Sequence, residues 1–219
     1  MDEGARVLGV RLPEGAVKGL ARYGVLLVEA GARAGFRAPD DLRALAGKHL
    51  VDSLSCLLVS DFRAGKTVLD VGSGVGLPGV VVAICRPASQ VVLAEPRARR
   101  AGFLRWALWR LGLGNAEVRR ERAEELRAAG QAFDRVLARA LAVFPRAAEL
   151  CLPLVAPGGE FVAMLGPRGE EEVRLAASEV ARAGGRVRRV VRVDLPWGTG
   201  KRVLAVLGRE EESAGCLGN

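Results

Sequence analysis

The feature that most constrains the fold is a short apolar run followed at once by a glycine-rich turn. Val68–Val71 has the length and composition of a buried strand, and Gly72–Gly76 (GSGVG) follows it directly. Glycine at alternate positions permits positive φ angles and lets a ligand approach the backbone without meeting a Cβ atom. The pattern therefore predicts a strand, a tight ligand-binding turn and a following helix.

Beyond residue 66, short β-branched runs alternate with longer amphipathic segments. The runs predict strands at 67–71, 90–95, 116–120, 133–138, 159–165, 186–193 and 202–207. The segments between them predict helices near 78–86, 97–112, 122–129, 142–155 and 169–184. Alternation of this kind predicts a parallel sheet that is covered by helices on both faces.

The C-terminal end of the pattern departs from simple alternation. Only Leu195–Gly200 separates the last two predicted strands, which is too short for a helical crossover. These strands should form a hairpin, so that the final strand runs antiparallel. A parallel sheet that ends in an antiparallel strand behind a glycine turn is typical of the methyltransferase variant of the Rossmann plan. The predicted fold class is therefore α/β, a Rossmann-like class I S-adenosylmethionine-dependent methyltransferase with a seven-stranded, mostly parallel sheet, an antiparallel last strand and a small N-terminal helical extension.

Three regions are expected along the 219 residues, enough for one α/β domain with a small appendage. Residues 1–60 should form the helical extension, with a second helix from Asp40 or Asp41 through Leu58. Residues 61–208 should form the methyltransferase domain. Residues 209–219 lack periodicity and are expected to be a disordered tail.

Composition narrows the function classes. No apolar run approaches the roughly 20 residues of a membrane span, and the acidic N-terminus lacks the order of a signal peptide. We therefore expect a cytoplasmic protein without membrane contact. The four cysteines are scattered without CxxC spacing and there is one histidine, which favours buried reduced thiols over disulfides or a metal site. The cysteines are Cys56, Cys85, Cys151 and Cys216.

The formal net charge of +8 is concentrated in one stretch. Between Arg97 and Arg146 there are twelve arginines and five acidic residues. This excess favours an anionic partner, above all nucleic acid, over a neutral small molecule. The alternative is a genome that encodes arginine in preference to lysine.

Two carboxylates lie at the ends of the first two predicted strands. Asp70 can orient the glycine turn or reach a ligand's amino group, and Glu95 can accept both ribose hydroxyls of an adenosine. Dinucleotide enzymes use the same device, so Glu95 alone does not choose between cofactors. Pro78 directly after the turn and the C-terminal hairpin favour a methyltransferase over a dehydrogenase.

The ordered motifs resemble the RsmG or GidB family of small-subunit ribosomal RNA guanine-N7 methyltransferases, from about His49 to Leu207. The segment HLVDSL, joined to the glycine turn at this distance, is the most specific of them. The matching segments are His49–Leu54, Asp70–Gly79, Arg99–Leu104, Arg122–Glu124, Arg139-Ala140 and Lys201–Leu204.

The resemblance implies methyl transfer from S-adenosyl-L-methionine to N7 of a guanine in the 530 loop of 16S ribosomal RNA. The partner would be that RNA or the small ribosomal subunit, and we expect a monomer. The implied cofactor-binding residues are Asp70, Gly72, Ser73, Gly74, Gly76, Leu77, Glu95, Ala123, Glu124 and Arg139. Arg139, Arg122 and Arg202 would position the guanine or its phosphate without a general base, and Arg99, Arg100, Arg122 and Arg202 would bind RNA.

The chain also departs from the family pattern. Leu165-Gly166 stands where the family often has Lys-Gly, and Ala138–Ala142 (ARALA) where it often has Ser-Arg-Ala-Phe-Ala. The missing lysine removes one candidate contact to RNA or to the reaction centre. The residues of the cofactor site are unaffected.

Several alternatives stay open. His49 and Asp52, three residues apart on a predicted helix, fit a catalytic or metal role or a contact that orients the rim of the site. Trp106 and Trp109 fit base stacking, although their apolar neighbours favour the core. Other possible functions are a methyltransferase of the same fold that acts on another RNA, a protein or a small molecule, and a non-catalytic RNA-binding module.

Overall fold

The structure is a computed structural model that describes residues 1–36, 45–62 and 64–209. Among these residues seven strands form one sheet in the order β3-β2-β1-β4-β5-β7-β6. The strands are β1 (Thr67–Val71), β2 (Gln90–Ala94), β3 (Ala116–Arg119), β4 (Phe133–Arg139), β5 (Val155–Leu165), β6 (Gly185–Leu195) and β7 (Gly200–Arg209). Strands β1 to β5 are parallel, and β7 runs antiparallel to both β5 and β6. The predicted fold class is confirmed.

Helices cover both faces of the sheet. They are α1 (Asp2–Leu8), α2 (Ala16–Ala30), α3 (Asp52–Leu54), α4 (Gly79–Cys85), α5 (Ala98–Leu111), α6 (Ala123–Ala128), α7 (Phe144–Cys151), α8 (Gly169–Leu175) and α9 (Ala177–Arg182). A π-helical turn, Ala46–Val51, leads into α3. Shorter 3-10 turns lie at Gly31–Ala34, Ser55–Leu58, Leu152–Leu154 and Pro196–Gly198.

Alternation along β1 divides the apolar core between the two faces of the sheet. Val68 belongs to a buried cluster that includes residues of α2, α4 and α5, whereas Leu69 belongs to a second cluster with residues of α6 and α7. Successive residues of a strand point to opposite faces, which explains the division. The N-terminal helices therefore pack on the same face as α4 and α5.

The C-terminal hairpin is confirmed and is longer than predicted. Strands β6 and β7 pair from Gly185 and Arg209 to Leu195 and Gly200. Arg209 thus ends β7, so the expected tail is wrong at this residue, and residues 210–219 lie outside the described part of the chain. The residues missed at the strand ends include Gly185 and Asp194 in β6 and Gly200 and Lys201 in β7, and glycine and charged side chains of this kind do not continue an apolar strand pattern.

Two helix predictions are wrong in their bounds. The helix expected over 142–155 ends at Cys151, and β5 already begins at Val155, which pairs with Phe133 before a register shift. Pro157 interrupts the strand pattern, so the sequence did not indicate that β5 extends back to Val155. The helix expected over 169–184 is broken at Ala176 into α8 and α9. The apolar spacing did not reveal the break, because one long helix and two short ones share the same apolar period.

The second predicted N-terminal helix is only partly within the described residues, since residues 37–44 lie outside them. From Leu45 to Leu58 the chain is helical but passes through π, α and 3-10 geometry.

Cys56, Cys85 and Cys151 are buried free thiols, and Cys216 lies outside the described residues. Within the described ranges, no helix combines the length and the apolar character needed to cross a membrane.

Candidate active site

The glycine turn lies at the carboxyl edge of the sheet, where parallel neighbours β1, β2 and β4 all end. Gly72, Gly74 and Gly76 have φ angles of 68°, 62° and 96°. These values lie in the left-handed region that residues with a Cβ rarely adopt. The alternate glycines are therefore required by the path of the backbone.

Asp70 supports the glycine turn through two hydrogen bonds. Its Oδ2 atom accepts a hydrogen bond from the backbone N–H of Gly79 at 3.0 Å, and its own carbonyl accepts one from the Ser73 hydroxyl at 2.8 Å. Both side chains are buried, and burial raises the pKa of Asp70 to about 7. The structure thus gives Asp70 and Ser73 a supporting position, and their contact with a cofactor stays a prediction.

Tyr23, which sequence analysis missed, supports the same turn from α2. Its hydroxyl donates to the backbone carbonyl of Val75, and its ring is fully buried. A Cβ atom at Gly76 would lie 2.8 Å from that hydroxyl, and Leu77 packs against the same core. The available signal was the position of the chain's single tyrosine in the apolar stripe of α2.

Glu95 connects the turn to the next strand. One carboxylate oxygen accepts the backbone N–H of Gly74 at 3.0 Å, and the other accepts that of Arg97 at 2.9 Å. Glu95 is almost fully buried, with the Arg100 guanidinium 3.9 Å away. Each carboxylate oxygen keeps a further acceptor position, so the group can still bind ligand hydroxyls.

A cleft of about 520 Å³ opens beside Glu95. Its walls include the predicted residues Gly72, Glu95, Arg100, Arg122, Ala123 and Glu124. They also include residues that sequence analysis did not select, which are Val71, Pro96, Arg97, Glu121, Ala140, Leu141, Ala142, Arg146 and Leu150. The structure therefore brings six of the predicted residues together in one cavity of the size typical for small-molecule sites.

The segment after β4 forms one wall of the cleft through an unusual backbone conformation. Ala140 has a φ angle of 52°, which is uncommon for a residue with a side chain. The turn brings Leu141 against the glycine turn, so that a Cβ atom at Gly72 would lie only 2.6 Å from Leu141 Cδ1. Gly72 is needed for this close approach.

Charged side chains surround the rim of the cleft. Arg122 is exposed and precedes α6, where its backbone N–H donates to the Glu125 carboxylate at 2.5 Å. Glu124 forms an ion pair with Arg146 at 3.1 Å, and both side chains are about half exposed. Arg122 therefore lines the cleft where α6 begins, and it is exposed to solvent.

Arg139 ends β4, but it is not among the residues that line the cleft. Its Nη2 atom lies 3.0 Å from Asp52 Oδ2, and the guanidinium also donates to the Ser53 hydroxyl at 3.2 Å and the Lys48 carbonyl at 3.2 Å. Its predicted contacts with cofactor and guanine stay predictions. Arg202 joins the same carboxylate, with Nε 2.7 Å from Asp52 Oδ1.

His49 lies next to Arg139. Its Nδ1 atom is 3.4 Å from Arg139 Nη2, and its ring makes an edge-to-face contact with Phe36 at 5.1 Å. Burial and the neighbouring Arg139 lower the pKa of His49, so the ring is neutral at neutral pH. Among residues 1–36, 45–62 and 64–209 no group of side chains is arranged to hold a metal ion.

A second, basic cleft adjoins the first. It has a volume of about 410 Å³ and lies between the Gly31–Ala34 turn and the start of α5. Arg33, Arg97, Arg99 and Arg100 line it. Arg100 belongs to both clefts and anchors the turn by donating from Nε to the Ala34 carbonyl at 3.2 Å. The predicted RNA-binding pair Arg99 and Arg100 is thus placed beside the larger cleft.

The two tryptophans of α5 behave differently. Trp106 is partly buried, with the Arg110 guanidinium 5.4 Å from its ring centre, whereas Trp109 is 75% exposed. The core interpretation is therefore wrong for Trp109. At about 100° per residue, Trp109 lies on the opposite face of the helix from Leu104 and Ala107, which are buried.

The chain is similar to proteins of a known family. The model of the family described as rRNA small subunit methyltransferase G (GidB) matches residues 16–197. Ribosomal RNA small subunit methyltransferase G of Pelotomaculum thermopropionicum is 37% identical over 219 residues, covering 97% of this chain and 90% of that protein. The protein of the same name from Salinispora tropica is 44% identical over 170 residues, covering 74% and 69%.

A solved structure supports the fold. Aeropyrum pernix fibrillarin in complex with natively bound S-adenosyl-L-methionine is similar with a TM-score of 0.56 and 17% sequence identity. The match covers 72% of this chain and 73% of that one. At this identity the likeness concerns the fold alone.

Proposed function

The chain belongs to the rRNA small subunit methyltransferase G family, and from this premise we propose that it transfers a methyl group from S-adenosyl-L-methionine to N7 of a guanine in 16S ribosomal RNA. The observation that carries the proposal is the Glu95 cleft, because residues of four separate family motifs meet there. The residues are Gly72 of the glycine turn, Arg100, the Arg122–Glu124 segment and Ala140.

The cleft fits an adenosine-containing cofactor. The buried Glu95 carboxylate can accept ribose hydroxyls, and the small side chain of Ala123 leaves room for a planar base. A Cβ atom at Gly74 would meet no side chain, so the turn leaves open space above it. Gly72, Gly74, Glu95, Ala123 and Glu124 are the residues that we propose hold the cofactor.

Methyl transfer to N7 requires alignment of the guanine with the methyl group more than it requires a general base. When bound, S-adenosylmethionine supplies a sulfonium methyl group, and the N7 lone pair forms the new C–N bond while the C–S electron pair stays on sulfur. N7 carries this lone pair in the neutral base, so no proton has to be removed before the transfer. Holding the guanine in line with the methyl group then supplies much of the rate.

Arginines supply the RNA contacts. Arg99 and Arg122 are exposed; Arg122 lines the cofactor cleft, Arg99 lines the adjoining basic cleft, and Arg100 lines both. Phosphate contacts by such side chains fix the position of the RNA, while contacts to base edges select the guanine. Arginine close to N7 would oppose the positive charge that methylation creates, so we assign these residues to phosphates and to the O6 edge.

The proposed function gives the two regions of the chain different roles. Residues 1–60 act as a helical extension that braces the glycine turn through Tyr23, and residues 61–208 act as the methyltransferase domain. We further propose that the protein acts in the cytoplasm as a monomer on the small ribosomal subunit or its RNA. Size-exclusion chromatography with light scattering tests the monomer, which a dimer mass would contradict.

Labelling in vitro tests the activity. The protein is incubated with isotopically labelled S-adenosylmethionine and small-subunit RNA from a strain that lacks the endogenous enzyme, and the digested nucleosides are separated by mass spectrometry. We expect label in 7-methylguanosine. Label in another nucleoside would assign another RNA methylation, and cofactor binding without label in RNA would favour a protein or small-molecule substrate. Absence of cofactor binding would favour a non-catalytic RNA-binding module.

A further inference from the structure

Asp52 is a carboxylate shared by two arginines. Its side chain has no solvent exposure, and its two oxygens lie 2.7 Å from Arg202 Nε and 2.5 Å from Arg202 Nη2. The oxygen that binds Arg202 Nη2 also lies 3.0 Å from Arg139 Nη2. One buried negative charge therefore bridges two guanidinium groups.

The two arginines come from different strands but meet at the same edge of the sheet. Arg139 is the last residue of β4, where the chain turns into the wall of the cofactor cleft. Arg202 lies near the start of β7, and its Nη1 donates to the carbonyl of Leu165, the last residue of β5. Asp52 thus ties the N-terminal helical extension to the edge at which the cleft opens.

The charges of Asp52, Arg139 and Arg202 affect methyl transfer. Two arginines without a carboxylate would place two positive charges at this edge, and one is balanced by Asp52. Methylation at N7 makes the purine cationic, so unbalanced guanidinium charge nearby would raise the barrier. The bidentate pair with Asp52 also fixes the plane of the Arg202 guanidinium.

From this geometry we propose that Asp52 is a positioning residue for methyl transfer, which holds Arg139 and Arg202 at the carboxyl edge of the sheet and balances one of their charges. The inference rests on the proposed function. Asp52 itself does not touch the cofactor cleft, so it acts through the two arginines. This gives the HLVDSL segment a role in catalysis that needs neither a metal nor a general base.

The test compares Asp52→Asn with a matched carboxylate elsewhere in the sheet. Glu160 is also largely buried among arginines, 3.7 Å from Arg135 Nε and 3.4 Å from Arg188 Nη1. It lies at the middle of β5, paired in register with Arg135 near the start of β4, and it does not line the cleft. Both variants remove one shared negative charge with little change in shape, so only the position of the charge differs.

We expect Asp52→Asn to lower kcat with 16S RNA by about 30-fold or more, because small displacements of positioning groups cost up to roughly 100-fold. Calorimetry should show a cofactor Kd within about threefold of wild type, since Asp52 does not line the cleft. Glu160→Gln should keep kcat within about twofold of wild type. A merely structural role would instead change the cofactor Kd and the thermal midpoint together while leaving kcat per folded molecule unchanged, and this result would overturn the proposal.

A double-mutant comparison shows whether Asp52 acts through Arg202. In an Arg202→Gln background, adding Asp52→Asn should lower kcat by a smaller factor than it does in wild type, because the bidentate pair with Arg202 is already absent and only the contact with Arg139 is lost. Full additivity would overturn the proposal. The double variant also answers the question if Asp52→Asn alone is insoluble, because it removes the buried charge together with its bidentate partner. Wild type without activity on 16S RNA would overturn the proposed function as well, whereas an active wild type with an equally active Asp52→Asn would overturn this inference alone.

Discussion

The Asp70 carboxylate accepts the backbone N–H of Gly79 at 3.0 Å and so joins the end of β1 to the start of α4. Sequence reasoning gave this carboxylate two roles, orienting the turn or reaching the ligand. The burial of Asp70 and its bond to Gly79 favour the first role. The buried Asp70 carboxylate therefore fixes the path of the glycine turn, whereas the Glu95 carboxylate lines the cleft.

The buried position of Asp70 makes the free energy of unfolding depend on pH. Because burial raises the folded-state pKa of Asp70 to about 7 from the ordinary 3.8, the folded protein binds the extra proton between these values. The free energy of unfolding should fall as pH rises from about 4 to 7, by up to about 1.4 kcal/mol per pH unit. Asp70→Asn should abolish this contribution while keeping an acceptor for Gly79. Urea unfolding at several pH values measures both.

Asp134→Asn is the control for that experiment. Hydrogen bonds from Thr67 and Lys66 outweigh the effect of burial and lower the pKa of Asp134 to about 2, so its contribution is lost only as pH falls below 4. The slope between pH 4 and 7 should therefore be the same as in wild type. A slope in Asp70→Asn equal to that of wild type would contradict the assignment.

The packing of α4 on β1 leaves no space at Gly79. A Cβ atom there would overlap Leu93 Cδ2 and lie 2.6 Å from Asp70 Oδ2. Gly79→Ala should lower the free energy of unfolding by about 1–3 kcal/mol through overpacking. Gly102→Ala, on the exposed side of α5 with open space around it, should raise it by about 0.5–1 kcal/mol. Equal effects of the two substitutions in chemical denaturation would refute this explanation.

Glu95 should control cofactor affinity. Glu95→Gln turns one of two acceptor oxygens into a donor that faces a backbone N–H, either that of Gly74 or that of Arg97. Loss of a charge-assisted hydrogen bond costs about 1.5–3 kcal/mol, so the Kd for S-adenosylmethionine should rise at least about tenfold. Glu117→Gln, which changes an exposed carboxylate on β3, should leave the Kd unchanged. Isothermal titration calorimetry decides between these outcomes.

Tyr23→Phe tests the brace between the N-terminal extension and the turn. Without the hydroxyl, the Val75 carbonyl loses its donor, and the free energy of unfolding should fall by about 1–3 kcal/mol. Ser178→Ala removes an exposed hydroxyl and should change it by less than about 0.5 kcal/mol. A wild-type unfolding curve for Tyr23→Phe would show that the hydroxyl does not support the turn.

RNA binding should depend on the arginines around the clefts. Arg99→Gln and Arg122→Gln should each weaken binding of small-subunit RNA and reduce the slope of log K against log salt by about 0.7–0.9 for each phosphate that the variant no longer neutralises. Arg182→Gln on α9 removes an exposed arginine that pairs with Glu179 and should leave the slope unchanged. Filter binding at several salt concentrations measures the slopes, and a slope unchanged by Arg99→Gln would remove that residue from the RNA surface.

The sequence predicted the parts of the fold that depend on strong local patterns. The alternation of apolar runs and amphipathic segments beyond residue 66 predicted the sheet, and the short link between Leu195 and Gly200 predicted its antiparallel strand. The break at Ala176 and the early start of β5 at Val155 were not predictable, because apolar spacing does not locate such interruptions.

The site was predicted in a similar, partial way. Glu95 and the residues near Arg122 lie in one cleft because parallel strands end at the same edge. The contact of Tyr23 with Val75 and the sharing of Asp52 by Arg139 and Arg202 join residues 52 to 150 positions apart. Long-range pairs of this kind leave no periodic signal in a single sequence.

The most direct test of the function is the modification of 16S RNA in cells. A strain that lacks the endogenous enzyme is complemented with the wild-type gene or with Glu95→Gln, and the 7-methylguanosine content of its purified 16S RNA is measured by mass spectrometry. We predict that the wild-type gene restores the missing nucleoside and that Glu95→Gln restores far less at equal protein level. If the wild-type protein is expressed and soluble but 7-methylguanosine stays at the level of the deletion strain, the proposed function is wrong.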